Sequence, residues 1–214
     1  MKKFLTLAAA ALIMCACNNT NSSTSNTTGS DLKCVKPLPA GFSPDSLTDC
    51  TVPAVFSTED FDWTANTLHF KVYNKDLYDA VDIQQLSKGD TLVFQGQSII
   101  VNQVNKDDGG YIVVNGGMEQ GGADLMPYEG GTYRGTQLDD HAVYTLLGMA
   151  TLPLAADLVM IDCGVEPNDP VDTIRTNVKA YIQKLEIHDN FNELNTELLI
   201  QNGKITQINR RWIP

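Results

Sequence analysis

Basic residues are scarce in this chain: 15 Lys and Arg stand against 26 Asp and Glu, a formal net charge of -11. Nucleic-acid binding needs clustered cations to neutralise phosphates. Beyond residue 3 the only adjacent basic pair is Arg210-Arg211, so nucleic acid is not expected as a partner, and an anionic lipid surface is disfavoured for the same reason. Histidine is also sparse, with only His69, His141 and His188. The chain has no Cys-x-x-Cys pair, His-Glu-x-x-His helix or Gly-x-Ser-x-Gly elbow, which removes the common redox, zinc and serine-hydrolase signatures. Gly116 to Gly122 has the outer spacing of a phosphate loop but lacks the Lys and the Ser or Thr that phosphate and magnesium require. No metal and no cofactor is expected.

Long apolar runs are missing too. The run Phe4 to Met14 is about half the ~20 residues a membrane-spanning helix needs. It follows Lys2 and Lys3 and leads to Cys15-Ala16-Cys17 without a further charge, the pattern of a secretory signal. Met14-Cys15-Ala16-Cys17 resembles the lipobox of bacterial lipoproteins, in which a small residue precedes the cysteine that is diacylated and becomes the mature N-terminus. The resemblance covers only this segment. It implies removal of residues 1–16, lipid on Cys17 and a membrane-anchored protein of the cell envelope. Processing would remove Lys2 and Lys3, leaving 13 basic against 26 acidic residues and a net charge of -13. Asn18 to Ser30 consists only of Asn, Ser, Thr and Gly. It has no apolar surface to offset ordering entropy and reads as a tether. No acidic cluster follows Cys17. Surface-exported lipoproteins of the Bacteroidetes often carry one, so the leaning is toward the outer membrane, facing the periplasm.

Residues 31–214 are long enough for one sizeable core. They read as a single domain with a β-rich half (31–135) and a half of helices plus hairpin (136–214). From Thr67 the apolar Leu68, Phe70 and Val72 alternate with His69, Lys71 and Tyr73, a half-buried strand. Further strands are predicted at 80–84, 91–95, 98–105 and 111–115, with connections too short for parallel neighbours. Nine of the 16 glycines fall between Gly109 and Gly135, which predicts tight hairpins. Asn105 to Ile112 imitates the start of an EF-hand loop, but position twelve is Gly116; without that carboxylate a hairpin turn is the better reading. One helix is predicted from Asp139 or Asp140 through Val143, Leu147 and Ala150. A second, capped by Asp169-Pro170, is predicted to about Leu185. Asn202-Gly203 marks a closing hairpin. The expected class is α+β: an antiparallel meander or small partly open barrel, then two helices and a C-terminal β-hairpin. An all-β fold with two decorating helices is the nearest competitor.

Cys34, Cys50 and Cys163 permit three pairings in an exported compartment. Cys34 to Cys50 is favoured, because it would staple a Pro-, Gly- and Ser-rich loop for roughly 3 kcal/mol. The best polar constellation is Glu129, Tyr133, Arg134, Asp139, Asp140 and His141. Glu129, Tyr133 and Arg134 are candidate binding residues. Asp139, Asp140 and His141 could do acid-base work in a periplasmic hydrolase if they converge; as solvated residues at a helix start they need no function. Asp45-Ser46-Leu47 resembles the three-residue O-glycosylation site of the Bacteroidetes, which makes Ser46 a candidate acceptor. With no catalytic signature in evidence, the expected role is a non-catalytic module that binds or assembles with an envelope protein or glycan.

Overall fold

The computed structural model describes residues 32–137, 140–163, 171–185 and 191–213; within it, residues from Leu32 onward form one compact unit. In chain order the strands are β1 (Cys34–Val35), β2 (Cys50–Val55), β3 (Phe61–Asp62), β4 (Thr67–Lys75), β5 (Leu77–Asp79), β6 (Thr91–Phe94), β7 (Gln97–Ile100) and β8 (Val104–Lys106). They continue as β9 (Ile112–Val114), β10 (Ala123–Tyr128), β11 (Thr132–Thr136), β12 (Tyr144–Asp162), β13 (Asp172–Ile174), β14 (Thr196–Gln201) and β15 (Lys204–Arg210). Two short helices, α1 (Ala80–Gln84) and α2 (Val178–Ile182), interrupt them.

Five strands close on themselves. β2 pairs with β4, β4 with the first half of β12, the second half of β12 with β15, β15 with β14, and β14 with β2. Only the β12–β15 contact is parallel. This circuit, with a helix between its third and fourth strands, is that of an OB-type barrel. One long strand serves two neighbours because it bends: the β4 register slips between Leu146 and Gly148, and the β15 register between Leu154 and Val159. Alternation sends Leu68, Phe70 and Val72 of β4, Ala150, Leu154 and Met160 of β12, and Leu198 and Ile200 of β14 into one core. Val178 and Ile182, one turn apart on α2, cover it. Inside the β12–β15 ladder the register pair Asp162 and Arg210 forms a buried two-pronged ion pair, at 3.0 and 2.8 Å. Tyr181 of α2 donates to the same carboxylate at 2.8 Å; burial and that bond push its phenol up to about 12.

Residues 76–143 leave the barrel between β4 and β12 and, joined by β1 from ahead of the barrel, build a second module. Its five-stranded sheet runs β5-β11-β10-β9-β8, and β1-β6-β7 forms a small companion sheet. Tyr78, Ile83, Leu92, Phe94, Ile112 and Leu125 fill the space between them. Where the chain exits and returns, the Asp76 N–H donates to Val143 O at 2.9 Å and Gly135 N–H donates to Asp76 O at 2.9 Å. The fully buried Asp76 carboxylate also accepts from Thr145 Oγ1 at 2.7 Å and from the Gln95 N–H at 2.9 Å.

These findings overturn the α+β expectation, for the structure is 51% strand and 14% helical, and among the described residues no pair of long helices precedes the last hairpin. The predicted helix through Val143, Leu147 and Ala150 is strand β12. Its three apolar residues never shared a face: Val143 enters the second core, Ala150 the barrel core, and Leu147 is 38% exposed. Gly148, at φ +158 against the Pro44 ring, stands where a side chain would have to push in. The predicted second helix is reduced to β13 and the five residues of α2, and its cap Asp169-Pro170 lies outside the described residues. Conversely, the predicted strand at 80–84 is α1, because the Asp79 carboxylate accepts the Val81 and Asp82 N–H groups as an N-cap.

The expected Cys34–Cys50 cross-link is not seen among the described residues. No cysteine pair among the described residues stands at disulfide distance. Cys34 sits on β1 against β6, and Cys50 opens β2 in the barrel. The intervening loop is held by packing and backbone bonding: Leu47 is buried in the barrel core, and Leu38 N–H donates to Leu77 O at 2.6 Å. Burial raises the Cys50 thiol.

Candidate functional site

The sequence constellation gathers at one end of the second module, with its members turned to different tasks. Glu129 opens the short turn between β10 and β11. Tyr133, on β11, is buried in the second core. Arg134 lies 5.6 Å from the Tyr128 ring, and its Nη2 donates to Asp140 O at 2.7 Å. The Asp140 carboxylate accepts from Tyr111 Oη at 3.3 Å; burial and then the charge of Asp140 raise that phenol. His141 uses its carbonyl to accept from Gln137 N–H at 2.9 Å, closing a tight loop. Asp139 lies outside the described residues. Among the described residues no hydrogen bond joins the Asp140 carboxylate to the His141 ring, and the two side chains open onto adjoining depressions of about 400 and 450 Å³.

Those depressions are floored by the loop after β9. Gly116 and Gly117 adopt φ of +82 and +88, which lets Asp124 accept the Met118 N–H at 2.8 Å. Asp124 and the glycines thus fix the loop, while Met118, Glu119 and Gln137 line the space. The EF-hand-like segment is the turn between β8 and β9, where Asp107 accepts Tyr111 N–H at 2.8 Å. Ser46 is exposed in the short turn Pro44–Ser46. Among the described residues no group of three or more His, Cys, Asp or Glu side chains is arranged to hold a metal ion.

A second surface was not legible as a site. On the outside of the barrel, β4 and β12 present register pairs side by side: Lys75 opposite Tyr144, Tyr73 opposite Leu146, Lys71 opposite Met149 and His69 opposite Thr151. Leu146, Leu147 and Met149 are 50%, 38% and 53% exposed. Eight large hydrophobic residues are exposed among the described residues; two of them, Leu146 and Met149, fall in these four pairs, and a third, Leu147, is the bulge residue between them. At the lower end His69, Lys71 and Met149 border a depression of about 460 Å³ backed by the stacked rings of Phe56 and Phe191, 4.4 Å apart. The His69 ring is held by Thr151 Oγ1 at 2.8 Å. At the upper end Lys75 Nζ lies 5.3 Å from the Tyr128 ring and 6.0 Å from the Tyr144 ring. Burial raises the Tyr144 phenol, against the charge of Arg211, and burial with the charge of Glu193 raises Tyr73.

The outward set His69, Lys71 and Tyr73 follows from strand alternation and reads in sequence as an ordinary solvent face. Its partners on β12 are invisible while that segment is read as a helix, so the apolar half of the surface goes unseen. Compared with known proteins, the chain matches no family model, no curated protein and no solved structure.

Proposed function

We propose that this chain is a cell-envelope lipoprotein whose folded domain is a non-catalytic binding or assembly module. Lipid on Cys17 moors it to the outer membrane, facing the periplasm, and the β4–β12 face meets an envelope protein or glycan. The supporting observation is the pair of exposed residues Leu146 and Met149 set beside Tyr73 and Lys71 on one sheet face, with exposed Leu147 in the bulge between them. Contiguous apolar exposure of this kind marks interaction surfaces. In OB-type barrels the second and third strands form the ligand face; that is analogy, and the exposed side chains carry the argument. Among the described residues no helix is long and apolar enough to cross a membrane, and the reading assigns anchorage to the acyl chains.

Two measurements test it. Labelled fatty acid should enter the wild-type chain and not Cys17→Ala, and the substituted chain should leave the membrane fraction. Immobilised protein should retain an envelope component that Met149→Asp loses while keeping its melting temperature. Equal retention by both proteins would remove the face from the proposal, and absence of label would remove the anchor.

A further inference from the structure

We propose that the open edge of β12, from Tyr144 to Thr151, takes up an extended, uncharged segment of another polypeptide as an added strand; this rests on reading the β4–β12 face as the binding surface. From Tyr144 to Pro153, β12 is paired with β4 on one side, and β15 takes the other side only from Leu154 onward. Among the described residues no backbone hydrogen bond reaches residues 144–152 from that open side.

The bonds at the two ends of the stretch show which groups are free. Leu154 N–H donates to Asn66 O at 2.9 Å, so Leu154 turns its backbone toward β4, and antiparallel alternation turns Met149 and Thr151 away from it. Asp76 N–H donates to Val143 O at 2.9 Å, so Val143 also faces the β4 side, whereas Tyr144 and Leu146 face away. The N–H and C=O groups of Tyr144, Leu146, Met149 and Thr151 thus line one edge over about 25 Å. Donors and acceptors at this spacing are met by another extended backbone, and not by a sugar ring or a lipid tail.

Side chains narrow the occupant. Residues 144–153 include no Asp, Glu, Lys or Arg, the charges that commonly guard an exposed edge. The bulge at Leu147 divides the edge and Pro153 ends it. On the outer face Leu146 and Met149 are exposed beside the edge. On the barrel side the Pro44 ring stands 3.2 Å from the position a Gly148 Cβ would take. An incoming strand therefore has room for apolar side chains on its outer face and for small ones within. Lys71 and Lys75 lie one strand away, yet Asp60 and Glu193 stand near that row, which leaves no surplus of cations to select an anion. A second copy of the chain would bring its own strongly negative charge against a domain of the same sign; a short uncharged segment meets no such repulsion.

The test uses the full-length acylated protein in mild detergent, titrated calorimetrically with a capped peptide of alternating Ser and Val, about eight residues long to match the edge. The peptide should bind, and replacing its serines with Glu should weaken it at least about tenfold; equal binding of the Glu peptide would overturn the uncharged segment. Methyl groups on every second backbone nitrogen remove the N–H groups of one strand edge. One of the two alternate sets should cost at least about tenfold in affinity and the other little. Thr151→Pro removes a donor from the open edge and none from the β4 ladder, so it should abolish binding with little change in melting temperature. Met149→Lys, which leaves the backbone intact and adds the missing guard charge, should do the same, while Ile100→Lys, on the exposed face of edge strand β7, should change nothing. Failure of the peptide to bind, equal effects of the two methylated sets, or loss of binding on Ile100→Lys instead would overturn the strand addition. A concentration-dependent dimer dissolved by Thr151→Pro, with no peptide bound, would give the edge to a second copy and overturn it too. An envelope component retained through Met149 while the peptide fails would keep the face as a binding surface and sink only its use as a strand edge.

Discussion

The barrel and the module inserted into it solve the same problem by different means. The barrel relies on ladders: strands of six to 19 residues, closed into a ring and packed with aliphatic side chains and four phenylalanines. The module has strands of two to six residues and relies on turns whose backbone must be right, with Gly116, Gly117, Gly121, Gly130 and Gly131 all at positive φ. Each region also buries charge differently. The barrel buries a pair, Asp162 with Arg210, whereas the junction with the module buries a lone carboxylate, Asp76, held by hydrogen-bond donors. Sensitivity to substitution should therefore sit in ladder charges in one region and in turn backbone in the other.

The largest effect is expected from Arg210→Met, which strands the Asp162 carboxylate in the barrel interior. Removing one member of such a pair costs about 3–5 kcal/mol, measurable as a lower urea midpoint. Next comes Asp76→Ala, which leaves the Thr145 hydroxyl and the Gln95 N–H without their acceptor at a cost of about 2–3 kcal/mol. Hydrogen exchange should then quicken in β5 and β6 before it does in β14; uniform quickening would mean that the two regions unfold as one.

The two buried carboxylates of the module sharpen the contrast through pH. Burial raises Asp76, outweighing the hydrogen bonds from Thr145, Gln95 and Tyr78. At Asp90 burial also pulls upward, but the N–H groups of Lys33 and Ser87 and the Ser87 hydroxyl outweigh it and hold the carboxyl low. The folded chain keeps a proton on Asp76 more readily than the unfolded chain does. Its contribution to stability therefore falls as pH rises from the ordinary value of 3.8 through the raised one. Asp90 behaves oppositely: its stabilisation is present above the unfolded value and lost as pH falls through the lowered one. Urea unfolding of Asp76→Asn and Asp90→Asn against wild type, from acid to neutral pH, should give difference curves of opposite slope.

A smaller loss, about 1–3 kcal/mol by overpacking, is expected for Gly122→Ala, because a Cβ there would lie 1.9 Å from Val114 O. The smallest is Arg211→Ala, which breaks a half-exposed pair with Glu197 worth less than about 1 kcal/mol.

Much of the local chemistry is legible in the sequence. Asn202-Gly203 has φ of +51 and +69, the primed turn its composition announces, and the alternation at Leu68 to Tyr73 gives the faces of β4. What escapes is non-local. β12 carries apolar residues at helical spacing, yet its conformation is set by partners about 75 residues before and 50 after it in the chain, read from its pairings. The short α1 escaped because five residues show no helical period; only the Asp79 cap gave a signal. The same hidden pairing conceals the candidate face, whose apolar and cationic halves come from β12 and β4 and meet only across the ladder.

Because Asp76 and Val143 are bonded to each other, the inserted module begins and ends at one point. A folded insert of this shape holds its two ends together, so that in the native chain β4 and β12 leave it side by side. With the insert folded, the span between β4 and β12 amounts to a short hairpin rather than a long flexible loop, and the closure entropy is correspondingly smaller. The same adjacency means that residues 76–143 could be replaced by a tight turn and leave a barrel whose circuit is still complete.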